Sequence, residues 1–204
     1  MRIGLYGGSF SPPHIGHVRA AETFLLERDL DVLHIMPTAQ SPHKMQVIGA
    51  SDENRLEMCR LAFAHLPKIT VSDHEIARGG KSYTVLTLRE YKKLYGEDTE
   101  IEMLVGTDMF LCLDKWFCYE EIFSLARIVC MRRENGEGGG ALLEAAEARY
   151  RALGADTVLI PNKVVEVSSS EVRKTLERGE RPHLLQDFVF DYIREKGLYG
   201  YAGA

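Results

Sequence analysis

No apolar run in the chain approaches the ~18 residues that span a bilayer, so no membrane-crossing helix is expected. Cysteine is scarce, and Cys59, Cys112, Cys118 and Cys130 contain no C-x-x-C pair, which removes the close ligand spacing of zinc and redox sites. They read instead as small buried hydrophobes in a reducing compartment. Positive charge is also short. With 25 Lys and Arg against 30 Asp and Glu, the net charge of −5 argues against an extended nucleic-acid or anionic-membrane surface, since both need a dominant basic field. A small anionic ligand is still allowed. A P-loop, G-x-x-x-x-G-K-S/T, is absent. The start, Met1-Arg2-Ile3-Gly4, enters a strand pattern without the apolar stretch and cleavage site of a secretory signal, so a cytoplasmic location is expected.

What is present is ordinary for a globular chain: 204 residues, 45% hydrophobic and 27% charged. A domain of that length buries roughly 70% of the surface its unfolded chain exposes, so no disulfide or metal staple is needed. Short runs rich in Ile, Val, Leu and Met alternate with segments of helical period, the pattern of βα units around a mostly parallel sheet. Strands are expected at 2–6, 32–36, 69–71, 101–105, 127–131 and 157–160, and helices at 15–28, 52–65, 83–95, 141–153, 169–178 and 185–196. The expected architecture is a single α/β domain over 1–204, with a doubly wound, mostly parallel sheet and helices on both faces. Its C-terminal helical part, from about 168 to 204, is expected to pack on the rest. The one low-complexity stretch, Gly136-Glu137-Gly138-Gly139-Gly140, fits a loose G-x-G-x-x-A pattern with Ala141. Glu134 and Glu137 stand where a pyrophosphate needs positive potential, so it reads as a loop.

The strongest signal ends the first strand, where the chain reads Gly7-Gly8-Ser9-Phe10-Ser11-Pro12-Pro13-His14-Ile15-Gly16-His17 and then turns helical. In an open parallel sheet, ligands bind beyond the carboxyl ends of strands, and a helix N-terminus there offers unpaired N–H groups and the positive end of its dipole. Phosphate suits such a place. Gly7 and Gly8 allow close backbone approach, and Gly16 leaves room above the first helical turn for a large ligand group. His14 and His17, at i and i+3, fall on one helix face. Metal ligation by the pair and an incidental helix cap are the alternatives, but residues 7–17 hold no acid or cysteine to complete a metal site. A second helix start lies in Val167-Ser168-Ser169-Ser170-Glu171-Val172-Arg173. Ser168 or Ser169 can cap it, its N-terminus offers a second anion site, and Arg173 projects a guanidinium one turn inside. Capping alone is the plainer alternative.

A strand followed by G-G-S-F-x-P-x-H-x-G-H, paired with V-S-S-S-E-V-R, resembles the two signatures of the nucleotidylyltransferase superfamily, relatives of the class I aminoacyl-tRNA synthetases. Ser11 departs from the pattern, standing where Asp or Asn is usual, so a hydroxyl replaces a turn-stabilising carboxylate or amide. Gly106-Thr107-Asp108, with the only tryptophan, Trp116, eight residues on, resembles the G-x-D-x-L…W segment of the nicotinate-nucleotide adenylyltransferase family. Ser41-Pro42-His43-Lys44 resembles that family's P-H-K turn, and Ser82-Tyr83-Thr84-Val85 its S-Y-T-V segment, with Leu86 in place of a frequent Asp. Asp191-Tyr192-Ile193 and Gly197-Leu198-Tyr199 resemble its ending, whereas 134–156 matches nothing specific.

The resemblance implies a Rossmann-like fold of the nucleotidylyltransferase type. It also implies transfer of the adenylyl group of ATP to nicotinate mononucleotide, giving nicotinate adenine dinucleotide and pyrophosphate in NAD biosynthesis. Gly8, Ser9, Phe10, Gly16, Gly106, Asp108, Ser168 and Ser169 are then expected to bind ATP. His17 falls to the α-phosphate, His14 to the β- or γ-phosphate, and Arg173 with Ser169 to the pyrophosphate end. Thr84 is implied to hydrogen-bond the nicotinate carboxylate, Trp116 to flank the pyridine ring, and Lys44 to serve the mononucleotide phosphate. By residue chemistry alone, Trp116 also suits a core, Thr84 a helix N-cap and Lys44 a solvated surface. Mg²⁺ is expected on the substrate phosphates, with no protein metal site. No nucleic-acid or membrane partner is expected, and a homo-oligomer is left open. Rival readings are another acceptor, such as nicotinamide mononucleotide or phosphopantetheine, and a non-catalytic nucleotide-binding module. Despite the mean charge, His14, His17, Lys44 and Arg173, with two helix N-termini, predict a local electropositive cleft.

Overall fold

The computed structural model describes residues 1–40, 49–133, 139–162 and 167–202. The strands are β1 (Arg2–Gly8), β2 (Val32–Pro37), β3 (Ile69–Val71), β4 (Glu100–Gly106), β5 (Arg127–Arg133) and β6 (Thr157–Asn162). The α-helices are α1 (Ile15–Arg28), α2 (Asp52–Phe63), α3 (His74–Arg78), α4 (Thr84–Tyr95), α5 (Thr107–Phe110), α6 (Tyr119–Leu125), α7 (Gly139–Ala152), α8 (Ser169–Glu177) and α9 (Asp187–Lys196). Short 3₁₀ turns cover Leu113–Lys115 and Leu198–Gly200. Every strand and helix expected from the pattern is present. The added pieces, α3, α5, α6 and the 3₁₀ turns, are too short to show a helical period.

The strand order is β3-β2-β1-β4-β5-β6, with β1–β4, β4–β5 and β5–β6 pairing in parallel. With right-handed crossovers this is the doubly wound α/β order, helices covering both faces, and its direction reverses at β1. The segments that follow β1 and β4 are therefore the ones such a sheet offers to a ligand. None of the described helices is long and apolar enough to cross a membrane.

Two compact units interleave along the chain: Met1–Gly7, Thr23–His34 and Tyr83–Val164 in the first, Gly8–Glu22, Ile35–Ser82 and Val165–Ala204 in the second. In the first, β4 buries Ile101, Met103, Leu104 and Val105 on both faces, which is why parallel strands read as unbroken apolar runs. One carboxylate interrupts that run. Buried Glu102 receives Arg28 at 2.7 and 3.1 Å and Arg127 at 3.1 Å, and Arg2 approaches to 3.6 Å. In the second unit, Ser51 caps α2 by accepting the Asn54 N–H at 3.2 Å, and Asp52 and Glu53 in the first turn suit the helix dipole. The C-terminal helix α9 packs on α2, where Gln186 donates to the Ala62 carbonyl at 3.1 Å and the Tyr192 hydroxyl to Asn54 Oδ1 at 2.9 Å.

The cysteines divide. Cys59 and Cys130 are buried, and burial pushes both thiols up, Cys130 to about 12. Cys112 is half-buried and Cys118 exposed, contrary to the expectation of four buried thiols: Cys118 precedes α6 at a turn with φ 53°.

Candidate active site

In the second unit, the chain leaves β1 through Gly8 and turns at Phe10, whose φ of 43° is left-handed. Four carbonyls around this turn have donors from elsewhere in the chain. Thr38 N–H reaches the Gly8 oxygen at 2.9 Å and Arg55 Nη1 the Ser9 oxygen at 2.8 Å. Arg173 Nη1 reaches the Ser11 oxygen at 2.7 Å, and Ser169 Oγ the Pro12 oxygen at 3.0 Å. The Ser11 hydroxyl, where a carboxylate or amide was the expected type, lies 3.1 Å from the Tyr199 hydroxyl, and burial holds that phenol well above its ordinary range. The two expected phosphate-binding segments, 8–17 and 168–173, are thus joined by direct hydrogen bonds.

The histidines are stacked, with ring centroids 3.7 Å apart, and His17 also meets the Phe10 ring edge-on at 5.0 Å. His17 Nδ1 accepts the His14 backbone N–H at 3.2 Å, so a neutral His17 carries its proton on Nε2. His14 is buried, and burial pushes its imidazole down to about 4 against the opposing field of Glu171. At neutral pH it is a hydrogen-bonding group, not a cation, because desolvation disfavours the charged form. A Cβ added at Gly16 would lie 3.1 Å from His14 Cε1 and Nδ1 and from Val167 Cγ1. The missing side chain therefore makes room first for the imidazole, where room for a ligand was expected. Around Gly7 the space is open, whereas a Cβ at Gly8 would press on the Phe10 ring at 3.1 Å.

Helix α8 begins with a capping box. Ser168 Oγ accepts the Glu171 N–H at 3.2 Å while Glu171 Oε2 accepts the Ser168 hydroxyl and the Ser168 N–H, each at 2.8 Å, and these last two bonds pull the Glu171 carboxyl below the usual range. The expected anion site at this N-terminus thus already has a carboxylate of the chain's own. The first N–H of α1, at Ile15, is likewise taken by the Leu184 carbonyl at 3.0 Å. Of the expected electropositive group, Arg173 supplies charge, His14 is neutral, and Lys44 lies outside the described residues, as does the P-H-K turn. Among the described residues, His14 Nδ1, Thr38 Oγ1 and Arg55 Nε are buried with no hydrogen-bond partner. Buried polar atoms are rarely left this way; these three belong to residues in or against the turn, and others, such as His34 Nε2 and Gln186 Oε1, lie elsewhere.

In the first unit, Gly106 ends β4 and precedes α5, with open space around it, and Asp108 is exposed on that short helix. Asp114 holds the next turn in place, accepting from Arg149 at 3.3 Å and from the Tyr150 hydroxyl at 3.4 Å. Trp116 follows, half-buried, and then Phe117, which is exposed and packs on Tyr83 with ring centroids 4.9 Å apart. Tyr83 is the N-cap of α4 and makes no side-chain cap bond; Thr84 is the first helical residue, which removes the capping alternative for Thr84. Arg89 grips Glu121 with bonds of 2.6 and 2.5 Å, tying α4 to α6. This unit so brings the Thr84 and Trp116 segments together.

A family model for cytidylyltransferase-like proteins matches residues 5–175. A probable nicotinate-nucleotide adenylyltransferase of Marinobacter nauticus is 36% identical over 208 residues, covering 96% of this chain and 95% of its own. One from Citrifermentans bemidjiense is 36% identical, covering 98% of each chain. The chain belongs to the nicotinate-nucleotide adenylyltransferase family. The fold of this family member is also that of the Plasmodium falciparum nicotinic acid mononucleotide adenylyltransferase, solved in complex with APC (TM-score 0.77, 18% identity, 98% of each chain covered). The same enzyme complexed with NaAD gives a TM-score of 0.76 at 19% identity over 98% of each chain.

Three residues in or against the turn have no role assigned from the sequence of this family member: Arg55, and Tyr199 and Glu171, which appear there only as parts of motifs. For Arg55 a signal existed. It stands in register with Leu56, Met58, Cys59, Ala62 and Phe63 on the buried stripe of α2, where a charge breaks the apolar pattern. Tyr199 is bound to Ser11 from 188 residues away, which no local pattern reports.

Proposed function

We propose that the chain transfers the adenylyl group of ATP to nicotinate mononucleotide, in the cytoplasm, releasing pyrophosphate and nicotinate adenine dinucleotide. The observation that supports this best is the direct joining of the histidine-bearing turn to the start of α8 through Ser169 and Arg173, in a chain of this family. A relative of the same fold is complexed with NaAD, the product of this reaction.

A phosphate oxygen of the mononucleotide attacks the α-phosphorus of ATP, the bond from that phosphorus to the bridging oxygen breaks, and pyrophosphate leaves with the bonding pair. No protein nucleophile is needed. Catalysis is alignment of two anions and stabilisation of the charge that develops on the transferring and leaving oxygens. His17 donates its Nε2 proton to the α-phosphate oxygens, its ring held by the His14 N–H. Neutral His14 serves the β- or γ-phosphate by hydrogen bonding, and Arg173 with Ser169 serves the pyrophosphate end. Gly8, Ser9, Phe10, Gly16, Gly106, Asp108 and Ser168 are assigned to ATP, and Lys44, Thr84 and Trp116 to nicotinate mononucleotide. Mg²⁺ enters with ATP, held chiefly by the substrate phosphates.

The test is pyrophosphate release from MgATP with nicotinate mononucleotide, nicotinamide mononucleotide or phosphopantetheine as separate acceptors. The expected result is highest kcat/KM with nicotinate mononucleotide. Preference for another acceptor overturns the substrate, and no release with any overturns the enzyme.

A further inference from the structure

Arg55 is the largest fully buried side chain among the described residues. It donates from Nη1 to the Ser9 carbonyl at 2.8 Å and from Nη2 to the Thr38 carbonyl at 2.5 Å, and it pairs with Asp52 Oδ1 at 2.6 Å. Burying a guanidinium is expensive, and well-packed apolar residues often replace buried ion pairs with no loss of stability. The fold of α2 alone gives no reason to keep a charge there.

The loop it grips gives one. A turn that receives phosphate must keep its carbonyl oxygens off the anion, since each presents negative charge at close range. Here the Gly8, Ser9, Ser11 and Pro12 oxygens are each drawn off by Thr38 N, Arg55, Arg173 and Ser169 in turn. The C=O and N–H of one peptide unit point in opposite directions, so drawing the Ser9 oxygen toward Arg55 turns the Phe10 amide the other way. The second Arg55 bond shows the same geometry completed: the Thr38 oxygen goes to Arg55 and the following amide, at Ala39, goes to Ser82 Oγ at 3.0 Å. Phe10, at φ 43°, is in a conformation that costs a non-glycine residue energy and persists where its surroundings impose it.

We propose that Arg55 is a positioning residue for the nucleotide: it fixes the Ser9 peptide so that the turn keeps that carbonyl oxygen off the phosphates. The inference rests on the adenylyl-transfer reading. It predicts a loss of activity beyond any loss of fold. In the full-length chain, Arg55→Met leaves the Ser9 and Thr38 carbonyls without this donor and so lowers the thermal midpoint. The kcat/KM for ATP of the folded fraction falls about 100-fold, the scale of a misplacement of roughly 1 Å. Arg55→Lys retains the charge but has no planar fork to span two carbonyls and a carboxylate, so it also loses activity while folded. The wild-type chain, assayed alongside with MgATP and nicotinate mononucleotide, separates the two claims. A silent wild type overturns the reaction, whereas an active wild type with an equally active folded Arg55→Met or Arg55→Lys overturns the role of Arg55. Activity that falls only with the folded fraction, measured by circular dichroism, overturns it too. If Arg55→Met does not fold, Arg55→Lys decides.

Discussion

Replacing Gly16 by alanine puts one methyl group against the imidazole of His14. The added carbon lies 3.1 Å from three heavy atoms, two on the His14 ring and one on Val167. Carbon contacts are comfortable at about 3.5–4.0 Å, so the ring must move by roughly 0.4–0.9 Å. It cannot move alone, because His17 is stacked on it at 3.7 Å and accepts the His14 N–H. A displacement of ~1 Å near reacting groups costs about 100-fold in rate, so kcat/KM should fall by about 10- to 100-fold. Stability should change much less. Alanine in a helix gains about 0.5–1 kcal/mol over glycine, which offsets part of the ~1–3 kcal/mol of overpacking. At ~2–4 °C per kcal/mol for a chain of this size, the midpoint moves by only a few degrees. Steady-state pyrophosphate release and a thermal melt on one preparation give both numbers. A folded Gly16→Ala chain with wild-type kcat/KM would refute the view that His14 and His17 work as one stacked pair.

Three further outcomes are expected. His14 is held neutral in the fold and regains its ordinary value near 6.5 on unfolding, so the unfolded chain binds a proton that the folded chain does not between there and about 4. Stability is then full above that window and declines by up to about 3 kcal/mol as pH falls through it. Urea unfolding of wild type and His14→Asn at several pH values checks this, and equal slopes count against it. Glu102→Ala strips Arg28 of its bidentate partner, while Arg127 keeps Asp156 and the Arg2 guanidinium keeps Glu100 and the Arg28 carbonyl. The loss is put below the 3–5 kcal/mol of a fully buried pair, at ~2–3 kcal/mol. A melt lowered by roughly 4–12 °C with kcat unchanged is expected, and a shift under about 2 °C contradicts it. Trp116→Ala should raise KM roughly tenfold for nicotinate mononucleotide, the loss of about 1.4 kcal/mol of stacking, with little effect on KM for ATP. Equal rises in both indicate a packing role.

The sheet was legible because buried parallel strands are unbroken apolar runs, and the long helices because they carry a 3.6-residue stripe. The short helices α5 and α6 were not, since each is set by how the chain leaves β4 or turns at Cys118. At the site, the histidine and serine signatures are local and were visible, and the family resemblance paired the two segments that Ser169 and Arg173 join. What each side chain does was less visible. Ser169 and Arg173 bind loop carbonyls, and Ser168 caps α8 with Glu171, which depends on geometry that residue types alone leave open. His14 looked like a cation until its burial was known, because desolvation is a property of the folded chain.

The turn after β1 is made early by a ribosome and finished late. Its partners at Ser169, Arg173 and Tyr199 follow the turn residues they bind by 157, 162 and 188 residues. Contacts of such separation close last, since loop entropy must be overcome first. A nascent or C-terminally clipped chain therefore carries the full histidine signature with the Ser11 and Pro12 carbonyls unheld, so nucleotide binding reports on the integrity of the far end of the polypeptide.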